Sequence, residues 1–260
     1  MFIEERHQAI LDMIKANGRI SIGEIQEKFN VSVDSARRDL RLLEEQGLLR
    51  RTHGGAIPDR QVGFTKPARI TPREIDTIKD NYFAIAMKAL SYIKENDVIY
   101  LNSGSVGYFM AQNLPALKMT AVTNSIIIAD EFRKKDNIRM ILIGGDMTQE
   151  GVCKGALSVE MVQRIRFDIA FITSASISAR FGISIQSSEN VGFLHAVINS
   201  SRQTIGLFPT EKIGFESILQ ICPANKLKVL ITDWDAPEEE LKKFDQLGIE
   251  VVVVKRDEQP

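Results

Sequence analysis

Residues 31–57, VSVDSARRDLRLLEEQGLLRRTHGGAI, decide the fold of the N-terminal part of the chain. Apolar residues recur there at helical spacing and predict a helix with one inward face; they are Ala36, Leu40 and Leu43. Ser32 or Asp34 can cap the start of this helix, because short polar side chains accept the backbone N–H bonds left open in a first turn. Gly47 is a typical residue at the end of a helix.

The opposite face of the predicted helix is basic. At about 100° per residue, Asp34, Arg37, Arg38 and Arg41 fall together on it. A guanidinium donates two parallel hydrogen bonds to a phosphate or to a guanine edge, so this face suits a DNA groove. A solvated face is the alternative, because Asp34 and Arg38, like Arg41 and Glu45, stand four residues apart and can pair with each other.

The preceding residues favour the DNA interpretation, because they supply the rest of a helix-turn-helix. Residues 2–16 predict an amphipathic helix, and residues 21–29 predict a second, short helix. Ser21 and Glu24 have the spacing of a capping box at its start. Two short helices joined this closely, the second with outward arginines, are typical of a DNA-reading element. The predicted DNA contacts of the recognition helix are Ser32, Asp34, Ser35, Arg37, Arg38 and Arg41.

The sequence changes character after Gly47. Residues 48–57 pass from apolar to basic residues and then to paired glycines, which predicts a β-hairpin wing. The wing would hold Arg50, Arg51 and His53 near a phosphate backbone or a minor groove, where contacts position a protein on DNA. For His53 alone, a plain turn residue is the alternative. Residues 1–60 contain ten Lys/Arg and ten Asp/Glu, so we expect binding to use a local basic face and several copies of the chain.

Composition limits the possible protein classes. The 260 residues are enough for two domains, and the net charge of −1 gives no overall attraction to nucleic acid or membrane. We find no secretory signal pattern and no apolar run that could span a bilayer, so we expect a cytoplasmic protein without membrane contact. Cys153 and Cys222 predict reduced thiols. The cysteines and three histidines lack metal-ligand spacing, so we expect no metal and no cofactor.

The second half of the chain predicts an α/β domain. Residues 1–57 are the predicted DNA-binding domain, the proline-containing residues 58–75 a linker, and residues 76–260 a domain for effector sensing and oligomerisation. Beyond the linker, short apolar strands alternate with helices, which indicates a parallel sheet covered on both faces. Strands are predicted at residues 97–101, 119–122, 139–143, 168–172, 204–208, 228–231 and 250–254. Helices are predicted at residues 76–94, 105–113, 126–134, 157–166, 191–199 and 237–246.

Polar and glycine residues follow four of these strands, and ligands of such sheets bind at the carboxyl ends of the strands. Small residues and a helix N-terminus near Ser105 would let an anion approach the backbone, and Lys212 could reach it. For each stretch alone, a plain turn is the alternative. A dinucleotide site is disfavoured, because no complete G-x-G-x-x-G is present. The predicted effector residues are Asn102, Ser103, Gly104, Ser105, Thr123, Asn124, Ser125, Gly144, Gly145 and Lys212.

The chain resembles the DeoR family of bacterial transcription regulators in both halves. In the first half the matching residues are Val31, Ser32, Ser35, Arg37, Arg38, Asp39, Leu40, Leu43, Glu44, Gly47, Arg51 and 53–56. In the second half they are 123–125, Gly144, Gly145, Gly155, Asp168, 170–172, Lys212, Gly214 and 231–233. The resemblance implies a winged helix-turn-helix followed by a domain similar in fold to ribose-5-phosphate isomerase, which binds a sugar-derived and often phosphorylated effector. It also implies a homodimer or homotetramer on a double-stranded DNA operator, most simply as a repressor of a carbohydrate operon.

The chain departs from the family pattern around the expected effector site. Residues 102–106 replace Asp-x-Gly-Thr-Thr, residues 173–176 replace Gly-Ala-Asp-Gly, and Glu211 stands where Ser is usual. Two alternatives therefore stay open: a sugar-phosphate isomerase or transferase with an added DNA module, and a ligand-independent DNA-binding oligomer. We expect no enzyme and no catalytic residues, because Asn102 replaces the possible catalytic acid and no nucleophile–base pair is apparent.

Overall fold

The computed structural model describes residues 3–58 and 80–256, so most of the predicted linker lies outside the described residues. The first part holds three helices: α1 (Ile3–Asn17), α2 (Ile22–Phe29) and α3 (Val33–Glu45). It also holds three strands: β1 (Ile20–Ser21), β2 (Leu49–Arg51) and β3 (Gly55–Pro58). The strands form an antiparallel sheet in the order β1-β3-β2. The predicted wing is the β2–β3 hairpin, and β1 adds a strand that the sequence pattern did not indicate.

The helix starts predicted from sequence are confirmed by hydrogen bonds. Ser21 Oγ accepts from Glu24 N at 3.1 Å and Glu24 Oε2 accepts from Ser21 N at 2.6 Å, which completes the capping box. Ser32 Oγ accepts from Ser35 N at 3.2 Å, so Ser32 caps α3. Gly47 follows the helix with φ of 69°, a conformation that a residue without Cβ adopts at no steric cost.

One buried carboxylate ties α1 to α3. Asp39 is 1% exposed, on the side of α3 that faces the small apolar core. Arg6 donates to it from Nε at 2.7 Å and from Nη2 at 3.0 Å, and His7 Nε2 lies 3.1 Å away. Burial raises the pKa of the Asp39 carboxyl, but the hydrogen bonds from Arg6 and His7 outweigh it and leave that pKa below its ordinary value.

The second part is built on a seven-stranded sheet. In chain order, the strands of the whole second part are β4 (Val98–Leu101), β5 (Met119–Thr123), β6 (Ile138–Leu142), β7 (Asp146–Met147), β8 (Cys153–Lys154), β9 (Phe167–Ile172), β10 (Ser176–Ser178), β11 (Gly182–Ile185), β12 (Ser201–Leu207), β13 (Leu219–Cys222), β14 (Val229–Thr232) and β15 (Glu250–Val253). The large sheet has the order β15-β14-β12-β9-β4-β5-β6, and every pairing in it is parallel. All seven strands were predicted from sequence. The short antiparallel pieces β7–β8 and β10-β11-β13 were not predicted.

Helices cover both faces of the large sheet, which confirms the predicted α/β class. They are α4 (Asp80–Leu90), α5 (Ser105–Gln112), α6 (Ile126–Phe132), α7 (Ala156–Gln163), α8 (Ser188–Asn199) and α9 (Glu238–Asp245). Alternate residues of one strand face opposite layers. Ile99 and Leu101 pack with α4, α5 and α6, whereas Tyr100 packs with α7, α8 and α9. None of the described helices is long and apolar enough to cross a bilayer.

Replacing Asp39 with Asn should destabilise the N-terminal domain by about 3 kcal/mol, because it leaves the Arg6 guanidinium beside a neutral group. Urea unfolding followed by circular dichroism measures the loss. The folded-state pKa of Asp39 is depressed, so the wild-type advantage is present above the unfolded pKa of about 4 and is lost as pH falls through the folded pKa. Glu45→Gln is the control, since Glu45 only approaches Arg41 to 4.0 Å on the surface. Equal losses in both variants would contradict this role of Asp39.

Candidate functional sites

The outer face of α3 is a basic surface open to solvent. Arg37, Arg38 and Arg41 are all exposed there, as the helical spacing predicted, and Asp34 is exposed beside them. Arg41 approaches Glu45 to 4.0 Å, but no carboxylate among residues 3–58 and 80–256 pairs with Arg37 or Arg38. The ion-paired alternative therefore describes Arg41 at most, and two guanidinium groups remain available to a phosphate or a base edge.

The two serines predicted as DNA contacts have structural partners in α3. Ser32 Oγ lies 3.0 Å from Ser35 Oγ while it also caps the helix. Ser32 is exposed and Ser35 is partly buried at the start of the helix. Ser32 Oγ therefore has a backbone and a side-chain partner at the start of α3, beside the basic face of the helix, and contact of Ser32 and Ser35 with DNA stays a prediction.

The two wing arginines point to different sides of β2, because successive side chains of a strand alternate. Arg51 points outward with its side chain 43% exposed, and its Nε lies 2.7 Å from Glu44 Oε2. Arg50 is only 22% exposed and turns toward the C-terminal domain. His53 is exposed at the tip of the wing. DNA contact stays a prediction for all three wing residues, but Arg50 has protein partners that the sequence did not indicate.

Those partners of Arg50 belong to residues far away in the chain. Its Nη2 donates to the backbone oxygen of Ile213 at 3.0 Å. Its Nη1 lies 3.6 Å from Glu240 Oε1, and the guanidinium carbon is 5.3 Å from the centroid of the Phe215 ring. A hydrogen bond, an ion pair and a cation–π contact thus hold one side chain between the two domains.

The predicted effector residues lie where the sheet topology requires, at the carboxyl ends of neighbouring strands. Asn102, which follows β4, donates from Nδ2 to the backbone oxygen of Thr173 at 2.6 Å. Lys212, from the turn after β12, donates from Nζ to Thr173 Oγ1 at 3.3 Å. The structure therefore brings Asn102 and Lys212 together through Thr173, a residue that the sequence pattern marked only as a departure from the family.

The Lys212 side chain forms no ion pair with a carboxylate of residues 3–58 and 80–256, although the charge of the neighbouring Glu211 acts on it. Burial lowers the pKa of Lys212, partly offset by the charge of Glu211. Within the described part of the chain, the single hydrogen bond of the Lys212 side chain is the one to Thr173. Ser103 and Gly104 precede α5, and Gly104 provides no side-chain cap for that helix. A Cβ added at Gly104 would lie 3.2 Å from Cγ2 of Thr173, the residue that Lys212 contacts. Free N–H groups and a buried ammonium suit an anionic ligand group.

Other predicted effector residues are occupied in packing. Asn124 accepts from the Tyr100 hydroxyl at 2.9 Å and donates to the backbone oxygen of Cys153 at 2.8 Å. Ser125 caps α6, and Thr123 Oγ1 accepts from Ser125 N at 3.2 Å. Gly144 and Gly145 are exposed and follow β6, which is an edge strand of the sheet. The contact of these residues with a ligand stays a prediction.

The sequence did not reveal the group that fixes the lysine. Asp233 is 0% exposed and accepts from Thr210 N at 2.8 Å and from Thr210 Oγ1 at 2.5 Å. Asn81 Nδ2 donates to the same carboxylate at 2.9 Å. Asp233 thereby holds the short 3₁₀ turn Thr210–Lys212. The motif Ile231-Thr232-Asp233 is part of the family resemblance. The sequence did not show what Asp233 does, because its partners Thr210 and Asn81 are distant in the chain.

Glu211 does not face the anion site as its position beside Lys212 suggested. Its Oε1 accepts from the Tyr82 hydroxyl at 2.8 Å. Burial and the charge of Glu211 both raise the pKa of Tyr82, so this hydroxyl remains protonated and keeps donating. A Cβ added at Gly18 of the N-terminal domain would lie 3.6 Å from Glu211 Cβ, so the carboxylate side chain is packed at the domain boundary.

Comparisons with known proteins agree over both halves. Residues 6–62 match a family model described as the DeoR-like helix-turn-helix domain, and residues 80–234 match one described as the DeoR C terminal sensor domain. The HTH-type transcriptional repressor GlcR of Bacillus subtilis is 32% identical over 259 residues, which cover 99% of each chain. The L-fucose operon activator of Haemophilus influenzae is 27% identical and covers 95% of this chain and 99% of its own. Ribose 5-phosphate isomerase A of Methanocaldococcus jannaschii matches at 12% identity over 52% of each chain with a TM-score of 0.34, too low to support an argument.

Replacing Gly107 with Ala should lower the melting temperature by about 5 °C, because the new Cβ would lie 2.2 Å from the backbone oxygen of Asn102. α5 would have to move away from the candidate effector site. Calorimetry of the full chain measures the change. Gly144→Ala is the matched control, since a Cβ there would meet nothing within 4 Å. Unchanged melting in Gly107→Ala would contradict the close packing of α5 on residue 102.

Proposed function

The chain belongs to the DeoR family of helix-turn-helix transcription regulators, and on this premise we propose that it represses a carbohydrate-metabolism operon under control of a sugar-derived effector. The observation that carries the DNA-binding role is the pair of exposed arginines on α3, Arg37 and Arg38, which have no carboxylate partner among the described residues. Their helix is fixed from behind by the buried Asp39.

In the proposed complex α3 lies in the major groove of the operator. Arg37 and Arg38 read base edges or clamp phosphates from the outer face of the helix, and Arg41 extends that face by one turn. Arg51 and His53 of the wing contact the adjacent backbone, which sets the orientation but carries little sequence information. One domain offers few such contacts, so a homodimer or homotetramer engages repeated half-sites together. Such a regulator works in the cytoplasm, where a prokaryotic chromosome lies.

The proposed effector carries an anionic group that binds between Lys212 and the start of α5. A phosphoryl or carboxylate oxygen would accept from the Lys212 ammonium and from backbone N–H groups near Ser103 and Gly104. The sugar hydroxyls would meet Asn102 and Thr173. Asn102 has an amide in place of the carboxylate of the family pattern, and an amide cannot act as a general acid or base, so we propose binding without catalysis.

Replacing Arg38 with Ala should weaken binding to the operator about 10- to 100-fold, because a bidentate guanidinium contact is lost. The operator is first selected from a random DNA library, and binding is then measured by fluorescence anisotropy. Arg164→Ala is the control, because Arg164 is exposed just after α7 and pairs with Glu160 away from the helix-turn-helix. If the Arg38 variant bound the operator as tightly as the wild type, the assignment of the recognition face would be wrong.

Replacing Lys212 with Met should abolish stabilisation by the effector. A ligand at 100 times its Kd stabilises the folded state by about 2.7 kcal/mol, which is visible as a thermal shift. A panel of sugar phosphates, sugar acids and free sugars is screened against the wild type, Lys212→Met and the exposed-site control Lys226→Met. We expect an anionic sugar to shift the wild type and the control alone. Stabilisation that survives in Lys212→Met would move the anion site elsewhere.

A further inference from the structure

The DNA-binding domain sits on the effector domain through specific polar contacts. Arg19, just before β1, approaches Asp235 with Nη1 2.9 Å from Oδ2, and both side chains are less than one-fifth exposed. Arg50 of the wing forms the second contact with Ile213, Phe215 and Glu240, as described above. We call this pair of contacts the dock. It holds one side of the N-terminal domain, and the basic face of α3 remains exposed.

The effector-domain side of the dock is continuous with the candidate effector site. Within one short segment, Lys212 turns toward Thr173 in the site, while the Glu211 side chain and the backbone oxygen of Ile213 face the N-terminal domain. The carboxylate of Asp233 holds the start of this segment at Thr210, and the Asp233 Oδ1 atom also accepts from Asp235 N at 3.2 Å. The segment Thr210–Ile213 therefore contacts both the candidate effector site, through Lys212, and the dock, through Ile213.

We propose that Arg19 and Arg50 are docking residues that hold the DNA-binding domain in its DNA-competent position, and that the turn Thr210–Lys212 transmits effector binding to this dock. The inference rests on the proposed function. An anion that attracts the Lys212 ammonium displaces the turn. This displacement shifts Ile213 and weakens the hydrogen bond that Arg50 donates to its backbone oxygen. The effector thus binds the undocked arrangement better and lowers operator affinity by that difference.

The docked arrangement is the DNA-competent one for a geometric reason. With the dock closed, the outer arginines of α3 face solvent at a fixed position relative to the effector domain. In an oligomer this fixes the spacing of the recognition helices, so several half-sites are engaged without a further ordering cost. With the dock open, each helix must be positioned anew and the affinity for the full operator falls.

The adjacent arginines of β2 provide a matched test in the full chain. Arg51→Ala removes a phosphate contact, so the slope of log affinity against log salt should become shallower by about one. Arg50→Ala should weaken operator binding about tenfold with an unchanged slope, because it alters position and removes no charge from the DNA interface. Small-angle scattering should show a larger radius of gyration for Arg50→Ala only. A shallower slope together with unchanged scattering in Arg50→Ala would make Arg50 a DNA contact and overturn the dock.

Exchanging the charges of Arg19 and Asp235 distinguishes loss of the dock from simple misfolding. Arg19→Asp alone should open the dock, with the scattering and affinity changes expected for Arg50→Ala. Combining Arg19→Asp with Asp235→Arg restores opposite charges across the same gap and should recover most of the operator affinity. If the double variant were no better than the single one, the contact between Arg19 and Asp235 would not be what holds the domains together.

Hydrogen exchange with inorganic phosphate as the probe tests transmission through the turn. Phosphate at tens of millimolar should alter exchange in residues 210–215 and also increase it in residues 19–21 and 49–51 across the dock. A change confined to residues 210–215 would overturn transmission and leave the anion site of the proposed function standing. No change in either region would overturn both the anion site at Lys212 and its link to the dock, whereas the Arg38 test of DNA binding is independent of this result.

Discussion

A single buried carboxylate, Asp233, supports both the candidate effector site and the contact between the domains. A carboxylate without exposure to water is costly unless hydrogen bonds replace its hydration. Asp233 accepts from the backbone and hydroxyl of Thr210, from the amide of Asn81 and from the backbone of Asp235. These donors come from α4, from the turn before Lys212 and from the loop after β14. One group therefore sets the relative positions of the lysine that faces the site and the aspartate that faces Arg19.

The N-terminal domain separates structural charge from functional charge on one helix. Asp39 lies on the inner side of α3, where it pairs with Arg6 and hydrogen-bonds with His7, and its neighbour Arg38 lies on the outer side. Adjacent residues of a helix point about 100° apart, so Asp39 can face the core while Arg38 faces solvent. The buried ion pair holds α3 against α1, and this rigidity keeps the outer arginines in the geometry that groove binding needs.

The residues that depart from the family pattern have defined hydrogen-bond partners in the structure. Asn102 and Thr173 hydrogen-bond to each other, and Thr173 in turn accepts from Lys212. Glu211 is engaged by Tyr82 and packed near Gly18, away from the hydroxyl that Lys212 contacts. The altered residues therefore form a mutually bonded set with the lysine still directed inward. This arrangement is compatible with an anionic ligand despite the loss of the usual Asp and Thr side chains, which supports the proposal of effector control over a ligand-independent oligomer.

The sequence by itself determined the periodic features: the capped helices α2 and α3, the basic outer face of α3, and all seven strands of the large parallel sheet. These follow from residues only a few positions apart, because helical and strand periodicities and capping are local. It could not place Arg50, whose partner Ile213 is 163 residues away, or separate the roles of Arg50 and Arg51. It also did not reveal how Asp233 holds Thr210 or that Thr173 joins Asn102 to Lys212. Those contacts were decided by the tertiary structure, because burial and charge pairing depend on which distant segments the folded sheet and the two domains bring together.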